Sequence, residues 1–101
     1  MSYVSTIRVT VKEGSAGAVD ALVQQMLAMR SQWQGNGDLL RATVLRSDDG
    51  TQYELFTVWS SKSAHDQHED DPAEAPLFLQ LVPYLAGEPS EIGGEIVAEV
   101  G

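Results

Sequence analysis

The run Trp59-Ser60-Ser61-Lys62-Ser63-Ala64-His65-Asp66-Gln67-His68 places both histidines of the chain just beyond one of its two tryptophans. Histidine is the side chain that most readily exchanges a proton near neutral pH, so His65 and His68 are candidate bases. Trp59 adds a flat apolar wall with a single N–H donor, suited to holding an aromatic molecule or simply to packing a core. On a helix, His65 and His68 project to the same side, and Glu69 follows His65 by four. A His-His-carboxylate metal site can be drawn from these three, but no further histidine exists to complete it, and no metal is expected. The absence of cysteine removes disulfides, thiol nucleophiles and thiolate metal sites.

These residues must be positioned by the elements around them. Tyr3 to Lys12 alternates Ile7, Val9 and Val11 with Thr6, Arg8 and Thr10, the pattern of a half-buried strand. From Ala16 to Trp33, Val19, Leu22, Val23, Met26, Leu27 and Trp33 recur at steps of three and four and predict an amphipathic helix. Met26 and Met29 read as core or interface filler. Gly35-Asn36-Gly37 should end that helix, with both glycines available for positive φ. Leu39 to Arg46 and Gln52 to Trp59 then read as two strands, joined through Asp49-Gly50 as a hairpin. Ser60 or Ser61 can cap a second helix that stops near Asp70-Asp71-Pro72. A further helix is expected from Ala73 to about Leu85, limited by Pro83 and Gly87, and a last strand from Ile92 to Val100. The order strand, helix, strand, strand, helix, strand predicts an α+β fold: a ferredoxin-like βαββαβ sandwich with an antiparallel sheet, formed as one domain over residues 1–101.

Composition narrows the function classes. A chain of 101 residues with 43% hydrophobic and 21% charged side chains suits a single small soluble domain. No apolar run reaches the length of a membrane span or a signal-peptide core, and a cytoplasmic location is expected. The net charge of −9 lies in the second part of the chain, since no Lys or Arg follows Lys62. Such a surface repels phosphate backbones and anionic lipid, so neither nucleic acid nor membrane is an expected partner. The acidity serves solubility and disfavours anionic substrates.

The third strand carries apolar groups on both faces: Tyr53, Leu55, Thr57 and Trp59 on one side, Phe56 and Val58 on the other. Helices can cover one face, and a second copy of the chain is the simplest cover for the other, so a homodimer with facing sheets is expected.

A strand ending at Trp59, a helical pattern through Ala64 to His68, Pro72, and a Leu-rich helix ending Pro83-Tyr84-Leu85-Ala86-Gly87-Glu88-Pro89 together resemble the antibiotic biosynthesis monooxygenase family of dimeric α+β-barrel proteins. The resemblance covers nearly the whole chain. It implies a substrate cavity between sheet and helices and a cofactor-independent monooxygenase, using neither metal nor flavin, that acts with O2 on a quinol-like or polyketide aromatic small molecule. In that chemistry the protein supplies a base, orientation and a dry pocket. Carried onto this sequence, the resemblance makes His65 or His68 the base, beside Trp59, with Ile7, Leu22, Met26, Tyr53, Leu55 and Phe78 around the substrate. Trp59 matches a tryptophan of the polyketide oxygenases, and His65 stands where they place a tyrosine. Leu55 replaces their asparagine, and their helix arginine has no counterpart. The haem-degrading branch would need its ligating set at about Ile7, His68 and Phe78, which does not match. The same scaffold also hosts isomerases and ligand-binding or stress proteins without catalysis, the alternative reading of this chain.

Overall fold

The computed structural model describes residues 2–69 and 71–100. The alternating segments form the strands β1 (Tyr3–Thr10), β2 (Leu39–Arg46) and β3 (Gln52–Trp59), with β4 (Ser90–Glu95) after the helices. They pair antiparallel in the order β2-β3-β1-β4, which is the ferredoxin-like α+β arrangement expected from the sequence. The β1–β3 register sets Ile7 opposite Leu55 and Val9 opposite Tyr53, so the apolar sets of two strands share one face. A shift between Leu39 and Arg41 inserts Leu40 as an extra residue in β2, and beyond it Val44 stands opposite Leu55.

The helices cover that face. α1 (Ala16–Gly35) buries Val19, Leu22 and Trp33, the stripe its 3.6-residue period predicts. Its end differs from expectation, because Gly35 remains in the helix and only Gly37, with φ of 85°, takes the left-handed conformation. The Asn36 side-chain oxygen accepts from the Asp38 N–H and closes the turn, so one glycine suffices. α2 (Lys62–Glu69) starts where the Ser61 hydroxyl accepts from the Ala64 N–H at 3.0 Å. Asp70, where the sequence predicts that helix to stop, lies outside the described residues.

The helix expected from Ala73 to Leu85 is divided. A 3₁₀ turn at Pro72–Glu74, α3 (Ala75–Leu81) and a second 3₁₀ turn at Val82–Tyr84 follow one another. Each piece carries a proline in its first turn, where a missing N–H leaves no bond unmade; a single continuous helix would have lost bonds at Pro76 and Pro83. Asp71 begins the series by accepting from the Ala73 N–H at 2.8 Å. β4 also differs from the expected Ile92–Val100, beginning at Ser90 and ending at Glu95. Glu95 pairs with Tyr3, the first residue of β1, so residues 96–100 run past the partner a strand requires. Within β4, Gly93 lets the Tyr3 phenol lie close against the strand, where a Cβ would collide with it, whereas a Cβ on Gly94 would meet nothing within 4 Å.

Two apolar clusters result. Val9, Val11, Val19, Leu22, Tyr53, Leu77 and Leu81 form one beneath α1 and α3. Trp33, Leu39, Trp59 and Ala64 form the other, at the end of the sheet where α2 packs. Among the described residues, no helix is long and apolar enough to cross a membrane.

Candidate functional site

The side chains singled out by their chemistry separate into two places. Trp59 is almost wholly buried, and its indole N–H donates to the Thr57 hydroxyl at 2.8 Å, which in turn donates to the Ser5 carbonyl at 3.2 Å. His68 lies flat on Trp33 with centroids 4.5 Å apart and near Trp59 at 5.9 Å, and its Nε2 is 2.8 Å from Asp38 Oδ2. His65 is 6% exposed and wedged between the edge of Trp59 and the Tyr3 ring. Its Nδ1 lies 2.9 Å from Asp66 Oδ1 and its Nε2 4.0 Å from Glu91. Both histidines thus have a carboxylate partner and an aromatic contact, the environment of a polar cluster that closes the end of the sandwich.

The other place is a cavity of about 380 Å3 between the sheet and the helices. Ile7, Val9, Val44, Tyr53 and Leu55 of the strands make its floor, and Val23, Met26 and Leu27 of α1 with Phe78 and Leu81 of α3 make its walls. That volume lies within the range of small-molecule sites, and the lining is mainly apolar, as such sites are. Of the residues expected around a substrate, Ile7, Met26, Tyr53, Leu55 and Phe78 line it. Leu22 is packed in the core next to it and faces a shallower depression with Ala18 and Tyr84. Trp59, His65 and His68 belong to the neighbouring aromatic cluster, and Glu69, directly after His68, reaches the cavity edge.

Tyr53 contributes its ring to the floor while its hydroxyl points away to the Ala16 carbonyl at 3.0 Å and to the Asp20 carboxylate. Burial, reinforced by Asp20, pushes its phenol up to about 12. It is therefore a fixed donor at neutral pH. Arg46 pairs with the same Asp20 and ties β2 to the start of α1.

The polar groups of the cavity come from Arg30 on α1 and from Glu69, Asp71 and Glu74. Arg30 grips both oxygens of Glu74, with Nε at 3.2 and 2.9 Å and Nη2 at 3.0 Å, and each side chain is only 13% exposed. The guanidinium also stands 5.6 Å from the Trp33 ring, joining the cavity to the aromatic cluster. Of these four, the sequence points to Glu69 alone, and only as a carboxylate beside the histidines; Arg30, Asp71 and Glu74 receive no role in a site. Arg30 carried a signal, since it lies seven residues after Val23 and four after Met26, a charge placed on the apolar stripe. Glu74 carried none, because its partner is 44 residues away.

One group of metal-ligating atoms occurs among the described residues: His65, Asp66 and Glu69 bring theirs within 4.8 Å of one another. His68 is not part of it. Asp66 already accepts from Lys62 Nζ at 2.9 Å and lies beside His65, and these bonds, that to Lys62 foremost, hold its carboxyl below the usual range. A cation there would compete with Lys62 and His65 for the Asp66 carboxylate.

A family model described as antibiotic biosynthesis monooxygenase matches residues 2–74. No curated protein matches the sequence significantly. Among solved structures, SnoaB from Streptomyces nogalater, a cofactor-independent oxygenase solved as a mutant, superposes with a TM-score of 0.83 at 17% identity over 98% of this chain and 96% of that one. ActVA-Orf6 of Streptomyces coelicolor, a monooxygenase in complex with nanaomycin D, gives 0.74 at 24% identity over 97% and 89%. Rv0793 from Mycobacterium tuberculosis gives 0.79 at 19% identity over the whole of both chains. At these identities the likeness is one of fold.

Proposed function

The chain belongs to the antibiotic biosynthesis monooxygenase family, and from that premise we propose that it is a cytoplasmic, cofactor-independent monooxygenase acting on a quinol-like or polyketide aromatic small molecule. The observation that carries the reading is the apolar cavity of about 380 Å3 between sheet and helices, large enough for a fused aromatic system and floored by Ile7, Tyr53 and Leu55. The reaction needs little from the protein. An acidic methylene of an anthrone-type substrate loses a proton to a base, and the resulting carbanion donates electrons to O2 and forms a C–O bond. The peroxide anion so formed takes up a proton, and loss of the remaining C–H proton with cleavage of the O–O bond expels hydroxide, which ends as water, and leaves a carbonyl. One oxygen atom ends in the product and one in water, and the substrate supplies all four electrons. The enzyme's share is to orient the ring, exclude water and take the proton.

His65 and His68 are the assigned bases, because an imidazole is a stronger base at neutral pH than a carboxylate. Oxygen uptake with an anthrone or naphthalene-diol and metal-free protein is expected to exceed the uncatalysed rate. General-base contributions run to about 10²–10⁴-fold, so replacing both histidines by Ala should remove at least about 10² of that excess. Activity that survives the replacement moves the base to Glu69 or Asp71, the carboxylates at the cavity edge, while the class stands. No excess uptake at all sinks the oxygenase reading. A second reading, ligand binding or isomerisation without oxygenation, is favoured by one observation: each histidine has a carboxylate partner outside the cavity lining.

The working unit we propose is a homodimer in which two sheets pair through the face the helices leave bare. That face presents Phe56, Leu45 and Ile92 to solvent in the single chain.

A further inference from the structure

We propose that the cavity selects its ligand by charge, taking an aromatic molecule with an ammonium or other donor-rich group at the rim and rejecting the corresponding carboxylate. The inference rests on the reading of this cavity as the ligand site and adds the class of molecule it admits.

The lining is apolar on the strand side, and its charged groups gather on one side, from Arg30 and from Glu69, Asp71 and Glu74. Among the described residues, Arg30 is the one basic side chain in that lining. Its charge is not available to a ligand anion, because both Glu74 oxygens accept from it in a pair that is nearly buried on both sides. An incoming carboxylate would either displace Glu74, leaving a buried carboxylate unpaired, or share a cation that Glu74 already neutralises, and in both cases it sits beside a second anion in low-dielectric surroundings. Glu69 and Asp71 have no such cation: among the described residues neither forms an ion pair with Lys or Arg. Asp71 uses one oxygen to cap the turn at Pro72–Glu74, where Oδ1 accepts from Ala73. The net charge of the whole chain, −9, has the same sign. A ligand whose ring fills the apolar floor therefore meets an edge with three carboxylates and one guanidinium, a net negative charge.

The test uses three probes sharing one ring system, 2-naphthylmethylamine, 2-naphthylmethanol and 2-naphthoate, titrated into the full chain by calorimetry at low and moderate salt. The ammonium should bind on the order of tenfold tighter than the carboxylate at low salt, with the alcohol between, and salt should narrow the gap. Methyl signals of Met26 and Leu27 should shift with the ammonium, which locates it in the cavity. In Glu69→Gln combined with Asp71→Asn, changes that keep helix propensity and the cap, the preference should shrink to about threefold or less. A carboxylate that binds as tightly as the ammonium overturns the proposal, as does a preference unchanged in the double variant, or ammonium binding that leaves the cavity methyls unmoved. If none of the three probes binds, the cavity is not a ligand site, and the functional reading falls with the proposal. A charge preference without oxygen uptake leaves the proposal standing and removes only the oxygenase.

Discussion

At the scale of single residues, the cavity floor depends on a group that does no acid–base work at neutral pH. Tyr53 is 3% exposed, its hydroxyl is directed at Asp20 and the Ala16 carbonyl, and its phenol is held up at about 12 by burial first and Asp20 second. A raised pKa means the folded state favours the protonated, neutral phenol. The stabilisation is fully present below the ordinary value of 10 and is lost as pH climbs through about 12. A rise from 10 to about 12 corresponds to about 2–3 kcal/mol. Denaturant unfolding followed from pH 9 to 12 should therefore show stability falling above pH 10, and Tyr53→Phe should flatten that limb. At pH 7 the same variant should cost about 1 kcal/mol, the net value of a hydrogen bond whose acceptor, Asp20, keeps Arg46. An alkaline limb identical in the two proteins would show that the phenol is not held in this way. The aromatic cluster follows a different logic, because Trp59, His65 and His68 each bond a polar partner and the rings stack on one another. It fixes the joint between sheet and α2 whether or not a proton moves there.

At the scale of elements, the end of α1 separates two glycines that look alike in sequence. Gly35 is helical and Gly37 has φ of 85°, and a Cβ on either would meet nothing within 4 Å. Only backbone preference distinguishes them. Gly35→Ala should raise the melting temperature by a few degrees through about 0.5–1 kcal/mol of helix propensity, whereas Gly37→Ala should lower it by a similar or larger amount. Thermal unfolding of the two variants checks this, and shifts of the same sign would contradict the assigned turn. What was legible beforehand follows the same division. Strand alternation at Ile7, Val9, Tyr53 and Leu55 and the α1 stripe at Val19, Leu22 and Met26 were readable, because period two and period 3.6 are imposed by burial on one side. Those faces also located five lining residues of the cavity, since a cavity between layers is lined by the inward faces of both. The division of the helix after Pro72 and the end of β4 at Glu95 were not readable. The first depends on where each proline falls within a turn, and the second on where β1 begins. The pairing of Arg30 with Glu74 and the turning of His68 to Asp38 were hidden for a related reason: both join residues 30 or more positions apart through side-chain reach, which no local pattern records.

At the scale of the whole molecule, the sheet has one covered face and one bare one. Across the bare face the register sets Thr43, Phe56, Thr6 and Ile92 in a row over all four strands, with Val58 and Val4 beside each other in the next. Ile92 is 74% exposed and Leu45 65%, while the Arg8–Glu54 ion pair at 2.9 Å borders the row. An apolar centre with a charged margin is the composition of an interface core and rim, and pairing two such sheets would remove on the order of 800 Å2 per chain from water, the usual size of a stable contact. A substitution at Ile92 tests this cleanly. In an isolated chain Ile92→Glu alters an exposed position of an edge strand and should change stability by less than about 0.5 kcal/mol. In a dimer joined through this face it buries a carboxylate in each copy without a cation to pair it, and should weaken association by about 10²-fold or more. Sedimentation at micromolar concentration should find the unsubstituted protein at twice the chain mass and Ile92→Glu at the chain mass, with unchanged helix content by circular dichroism. Phe56→Glu, at the centre of the same row, should give the same dissociation, so agreement between two strands on one face identifies the surface rather than a local defect in β4. A monomeric unsubstituted protein, or a variant that stays dimeric, would place the contact elsewhere or remove it.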